Sequence, residues 1–148
     1  VLALLARAAS VQPASAPIAL SLHGDPAALQ QVPAAHGFHL NRVQVQRLRE
    51  RGQLAASLRS RAGQLLSAAA HDEAELACAL AIGVDSVWLS PVLATPAHPG
   101  APFLGWTQWA QWLAKVPLPV YALGGVAPTD VAAARALGGQ GVAGISQF

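Results

Sequence analysis

Methionine is absent from this chain, cysteine and tyrosine occur once each, and charged residues make up only 11% of it. The lone Cys78 excludes a disulfide framework. Placed mid-helix without a partner, it reads as a small buried hydrophobe in a reducing, cytoplasmic compartment. No long apolar run exists. The longest uncharged stretch, 86–114, is interrupted by Pro91, Pro96, Pro99 and Pro102, so it cannot form one membrane-spanning helix. A nucleophile elbow is missing too, which argues against a Ser-His-Asp hydrolase. Residues 1–5 resemble a signal-peptide core and 14–16 a cleavage site. No basic stretch precedes them, however, and Arg7 follows, so the end of an amphipathic helix is the better reading. Basic character is local: six of the nine Lys and Arg residues fall between Arg42 and Arg61 with no aromatics interleaved. That pattern describes a solvated helix-and-loop face, or a docking surface for an anionic partner, rather than a nucleic-acid surface.

What is present is an apolar chain, 53% hydrophobic over 148 residues, enough for one domain spanning 1–148 with a substantial core. Strand and helix signals alternate regularly. Strands are expected over 17–22, 37–40, 64–70, 84–89, 119–123 and 141–145. Helices are expected over 26–32, 43–51, 72–82, 105–115 and 128–137, with a Pro- and Gly-rich loop over 92–104. Asp72 and Glu75 have capping-box spacing, and Gly83 supplies a stop. Trp106, Trp109, Ala110 and Leu113 form one apolar stripe, read as core packing. Strands joined by helices force a parallel sheet with right-handed crossovers. The expectation is an α/β fold of (β/α)8 TIM-barrel type lacking its first two βα units, with a short open α/β sheet as the alternative. Exposed strand edges in such a barrel would invite a homodimer or an amino-terminal fused domain.

In a parallel barrel, chemistry sits at the carboxyl ends of the strands. Those ends carry His23 and Asp25, His39, His71, Ser90 and Thr95, Gly124 and Gly125, and Ser146. Tyr121-Ala122-Leu123-Gly124-Gly125-Val126 and Gly141-Val142-Ala143-Gly144-Ile145-Ser146 each read as a buried strand ending in small residues. Two such turns side by side can offer backbone N–H groups to one phosphate. Asp25 is either a helix cap or a metal or substrate ligand. His71 and His98 can serve as general acid or base near neutral pH, or as loop hydrogen-bonding groups. His23, His39 and His71 stand 16 and 32 residues apart, one per strand, so a histidine-bound metal is only weakly signalled.

These residues resemble the thiamine-phosphate synthase and thiazole tautomerase (TenI-like) superfamily. Gly37-Phe38-His39-Leu40 is similar to its G-V-H-L strand, and Ala69-Ala70-His71-Asp72-Glu73 to its S-x-H-s-x-E turn. The stretch from Asp85 to Thr95 is similar to D-Y-V-x-x-G-P-V-F-x-T, that from Val120 to Val126 to P-V-x-A-I-G-G-I, and that from Gly141 to Ser146 to G-V-A-V-I-S. The resemblance runs in order from about Pro17 to the end. It implies a transferase that couples hydroxymethylpyrimidine diphosphate to thiazole phosphate and releases pyrophosphate. It further implies that Gly124, Gly125, Ile145 and Ser146 hold the phosphate of a phosphorylated thiazole or pyrimidine compound. Thr95 and the loop to His98 would lie beside the substrate, with His71, Thr95 and His98 as the catalytic candidates, and Asp25 would contact Mg2+ and diphosphate.

Departures from the family pattern concentrate in the diphosphate half. Gly24 stands for the Asn of the Asn-Asp pair, Ala69 for the Ser of S-x-H, and His98 for the loop lysine. Asn41-Arg42-Val43-Gln44 replaces an expected acid, and the Gln-x-Arg-x-Lys motif is absent. The expectation is therefore a degraded diphosphate site beside an intact phosphate site. Such drift also suits a carboxyl-terminal domain of a Nudix hydrolase fusion. Two alternatives stand: a non-catalytic phosphate-ligand-binding domain regulating a fused hydrolase, and a tautomerase-like isomerase, although Ser90-Pro91 replaces the tautomerase histidine.

Overall fold

The computed structural model describes residues 21–25, 27, 31–32, 35–96 and 99–144. The expected signal-like stretch, most of the first strand, much of the 26–32 helix, His98, Ile145 and Ser146 lie outside the described residues. Six strands form one sheet: β1 (Ser21–Leu22), β2 (Gly37–Leu40), β3 (Leu65–Ala70), β4 (Ser86–Leu89), β5 (Val120–Leu123) and β6 (Gly141–Ala143). Every neighbouring pair is parallel, and the order along the sheet is the order in the chain. Strictly sequential order is that of a barrel; a doubly wound sheet would reverse direction at a switch point. The sheet is a half-barrel, with β1 and β6 each paired on one side among the described residues.

Helices α1 (Arg42–Glu50), α2 (Glu73–Ala81), α3 (Gly105–Leu113) and α4 (Val131–Ala136) supply the crossovers. Alternation along each strand sorts the side chains between two faces. Phe38, Leu40, Leu66, Ala68, Ala70, Val87, Leu89, Val120 and Ala122 are buried together with Val45, Leu48, Leu76, Ala79, Trp109, Trp112 and Ala134 of the helices. Of the alternate set, Gly37 and Ser67 are buried, while His39, Ala69, Ser86, Trp88, Tyr121 and Leu123 are only half-buried. The outward face is thus the core, and the inward face stays partly open.

The apolar stripe of α3 packs on the core as expected, with Trp106 and Leu113 against it, and Trp112 widens it. Trp109 is fully buried and Trp112 nearly so, whereas Trp106 is half-buried and packs edge-on against Trp109 at 5.5 Å. A Trp covers 150–250 Å², so burying Trp109 contributes about 4–6 kcal/mol of transfer free energy. Its indole N–H finds no acceptor among the described residues, which costs back about 1–3 kcal/mol. Cys78 is half-buried on α2. The expected helix over 128–137 divides into a 3-10 turn, Pro128–Asp130, followed by α4. Asp130 accepts the Ala127 N–H at 2.8 Å and holds that turn tight. No helix among the described residues is long and apolar enough to cross a membrane.

Half of the basic segment is tied into the fold. Arg42 pairs with Glu75 at 3.0 Å, Arg59 with Asp85 at 2.8 Å, and the Arg61 guanidinium donates to the Ala35 carbonyl at 3.0 Å.

Candidate active site

The carboxyl ends of the strands form one rim, and the turns there are built by short-range bonds. After β1, Asp25 accepts the Ala27 N–H at 2.9 Å, so one carboxylate oxygen acts as a local turn cap. Gln44 at the start of α1 donates to the Gly24 carbonyl at 2.6 Å and ties this turn to the next βα unit. Gln44 also closes a capping box with Asn41, each bond 2.9 Å, which satisfies two N–H groups at the helix start. His23 donates through Nδ1 to the His39 carbonyl at 3.0 Å; a carbonyl only accepts, so that nitrogen carries the proton.

His39 faces inward from β2. Its Nδ1 lies 2.9 Å from the Ser67 hydroxyl on β3, and its ring is 4.3 Å from that of Trp88 and 6.1 Å from that of His23. Burial, reinforced by the charge of His23, pushes its pKa down to about 4, so the imidazole is neutral at physiological pH.

His71 follows β3. Both its backbone N–H, at 3.0 Å, and its Nδ1–H, at 2.8 Å, donate to one oxygen of Glu75, whose other oxygen takes Arg42. Asp72 caps α2 by accepting the Glu75 N–H at 2.7 Å. The anticipated capping box is therefore half realised: Glu75 reaches past Asp72 and holds His71 instead. The carboxylate keeps His71 oriented with its other ring nitrogen free for solvent or ligand.

After β5, Gly124 and Gly125 have φ of +85° and +71°. A Cβ on Gly124 would come within 2.8 Å of the Pro91 side chain, and one on Gly125 would overlap the Leu93 and Ala94 carbonyls. The loop after β4 lies directly on this turn: Val92 donates to the Leu123 carbonyl at 2.9 Å and Leu93 to that of Gly124 at 3.0 Å. Backbone shape and close approach both require glycine here. The turn thus lays its own backbone directly against the loop after β4. The Ser90–Pro91 peptide is cis, and Thr95, half-buried, continues the same loop.

Asp25, His71 and Gly124 thus stand on one rim at the ends of separate strands. Asp25 and Gly124 are separated by four strand spacings, about 19 Å measured along the sheet, and His71 lies midway. Asp25 is the carboxylate available for magnesium. No group of three or more His, Cys, Asp or Glu converges among the described residues. Magnesium is commonly held by one or two carboxylates together with substrate phosphates, so the free oxygen of Asp25 fits that ion only in company with a bound diphosphate.

Three inward residues escaped the residue-by-residue reading: Ser67, Trp88 and Tyr121. Trp88 stands opposite Tyr121 in the β4–β5 register, their rings edge-on at 6.4 Å.

Comparison with known proteins places this geometry. A family model described as thiamine monophosphate synthase matches residues 5–148. "Putative thiamine-phosphate synthase 2" of Aquifex aeolicus is 39% identical over 66 residues, covering 45% of this chain and 36% of that protein. "Putative thiamine-phosphate synthase" of Geobacter sulfurreducens is 36% identical over 86 residues, covering 57% of this chain and 40% of that protein. Among solved structures, thiamine phosphate pyrophosphorylase from Pyrococcus furiosus superimposes with a TM-score of 0.63 at 18% identity, covering 86% of this chain and 56% of that one. The matched segments therefore span well under two thirds of each of these relatives.

Proposed function

The chain belongs to the thiamine monophosphate synthase family, and from that premise we propose that it serves thiamine biosynthesis as a transferase. The reaction is the coupling of hydroxymethylpyrimidine diphosphate to thiazole phosphate, in which the diphosphate leaves as pyrophosphate. The observation that carries this reading is the β5 turn. Gly124 and Gly125, both at positive φ, lie so close to the loop after β4 that neither has room for a side chain, and the turn therefore presents backbone at the rim. Backbone donors at that rim suit a phosphate better than any side chain nearby. Ile145 and Ser146, beyond the last described strand residue, would complete the phosphate cradle. His71, oriented by Glu75, is the group on the rim suited to proton transfer. Thr95 belongs to the loop that packs on this turn, and His98 follows it in the sequence. Asp25 would hold magnesium through the diphosphate oxygens and neutralise the leaving group.

The test is direct. The native protein is incubated with both substrates and magnesium, and pyrophosphate and thiamine phosphate are quantified. Equal amounts of the two products are expected. No turnover at saturating substrate and magnesium would overturn the transferase reading.

A further inference from the structure

Trp88 is set apart from the other described tryptophans by its place on the sheet. Trp109 is wholly enclosed on the outward side. Trp88 sits on the inward face, half-buried, while Val87 and Leu89 on either side of it are completely buried. Its ring is held in one pose by two neighbours. The His39 ring lies 4.3 Å away at an interplanar angle of 31°, and that of Tyr121 packs edge-on at 62°. His39 is itself fixed by Ser67 at 2.9 Å. A core filler needs no such frame; a rigid aromatic surface that keeps area exposed is what a planar ligand requires.

Position supplies the second argument. Trp88 is opposite Tyr121, and Tyr121 is three residues before Gly124. At about 3.3 Å per residue, the ring platform lies roughly 10 Å from the Gly124–Gly125 turn. That separation matches a small heterocycle joined to a phosphate by a short, flexible tether.

We propose that Trp88, framed by His39 and Tyr121, is the surface on which the planar heteroaromatic ring of a phosphorylated ligand stacks while its phosphate reaches the Gly124–Gly125 turn. The inference deepens the proposed function and rests on its phosphate site. It makes Trp88 the residue that separates ring-bearing phosphates from phosphate alone.

Calorimetric titration of the native protein tests this with thiazole phosphate, thiamine phosphate and inorganic phosphate. The variants are Trp88→Phe, which keeps a π face, and Trp88→Leu, which keeps an apolar side chain and preserves the fold without one. Base–aromatic stacking predicts that Trp88→Leu weakens the ring-bearing phosphates by about tenfold or more. Trp88→Phe should retain most of the affinity, and inorganic phosphate should bind all three proteins alike. Equal affinity of the Leu and Phe variants for thiazole phosphate would overturn the proposal and leave the phosphate turn standing. A wild-type protein that binds inorganic phosphate but no ring compound would overturn it in the same way. One that binds none of the three would overturn both this inference and the phosphate site beneath it.

Discussion

The two ends of the sheet are built on opposite plans. At the amino ends, polar side chains bond across the chain and leave little unused. Gln64, 1% exposed, accepts from the Ser60 and Arg61 N–H groups and donates to the Ala35 carbonyl. Asp85 accepts the Leu66 N–H at 2.7 Å and both anchors and orients the Arg59 guanidinium, whose Nε donates to the Gln64 carbonyl. At the carboxyl ends, Asp25, Asp72, Glu75 and Asp130 each bond within four residues along the chain, apart from the Glu75–Arg42 pair. At the amino end the polar groups tie strand to strand; at the carboxyl end the carboxylates cap their own turns, while Gln44 and His23 reach across to the neighbouring βα unit. Barrels divide their two ends between stability and chemistry in this way.

The largest effect is expected where the carboxyl end is least tolerant. Gly125→Ala forces a side chain into the left-handed region, at about 1–2 kcal/mol, and against two carbonyl groups, at about 1–3 kcal/mol more. Urea unfolding should show a loss of about 3 kcal/mol with an unchanged slope, and titration should show thiamine phosphate binding abolished. An undisturbed midpoint would mean that the loop of residues 92–94 yields freely and that the turn is not a rigid cradle.

Asp85→Ala tests the opposite end. It strands the Leu66 N–H and Arg59, and because the pair is only partly shielded from water, the expected loss is about 2 kcal/mol. For a chain of this length the melting temperature should fall by roughly 4–8 °C. Affinity for thiamine phosphate, measured on the folded protein, should not change. A weakened ligand affinity at unaltered fold would break the division between the two ends.

Much of this layout was legible beforehand. β2 falls where the sequence reading put it, and β3 differs by one residue, because turn residues and alternation bracket both. The strand-end positions of Asp25, His71, Gly124 and Gly125 followed from the barrel reading alone. The misses have local causes. The N–H groups of His71 and Asp72 both lie near the start of α2, and nothing in the sequence says that Glu75 would choose the first. Residues 128–130 satisfy helical propensity, yet Asp130 folding back on Ala127 closes a tighter turn. Trp88 sits in a strand, Ser86–Leu89, that reads as buried on both sides; its partly open face becomes visible only through the register that sets it against Tyr121.

The subtlest prediction concerns the inward face and takes the form of a slope with pH. In the folded protein His39 stays neutral down to about pH 4, because burial and the charge of His23 oppose protonation. In the unfolded chain it takes up a proton near its ordinary value of 6.5. The unfolded state therefore binds more protons between these limits, and stability falls as pH is lowered through them; above that window His39 contributes no pH dependence. His39→Gln removes the titrating group while keeping a partner for the Ser67 hydroxyl. Urea midpoints taken at about pH 7.5 and about pH 5 should fall farther apart for the wild type than for the variant. Parallel loss in both would mean that water reaches the His39 ring as readily in the folded protein as in the unfolded chain. In that case the platform around Trp88 would be open surface, and the contrast between a sealed outward face and a half-shielded inward face would fail at the residue that joins them.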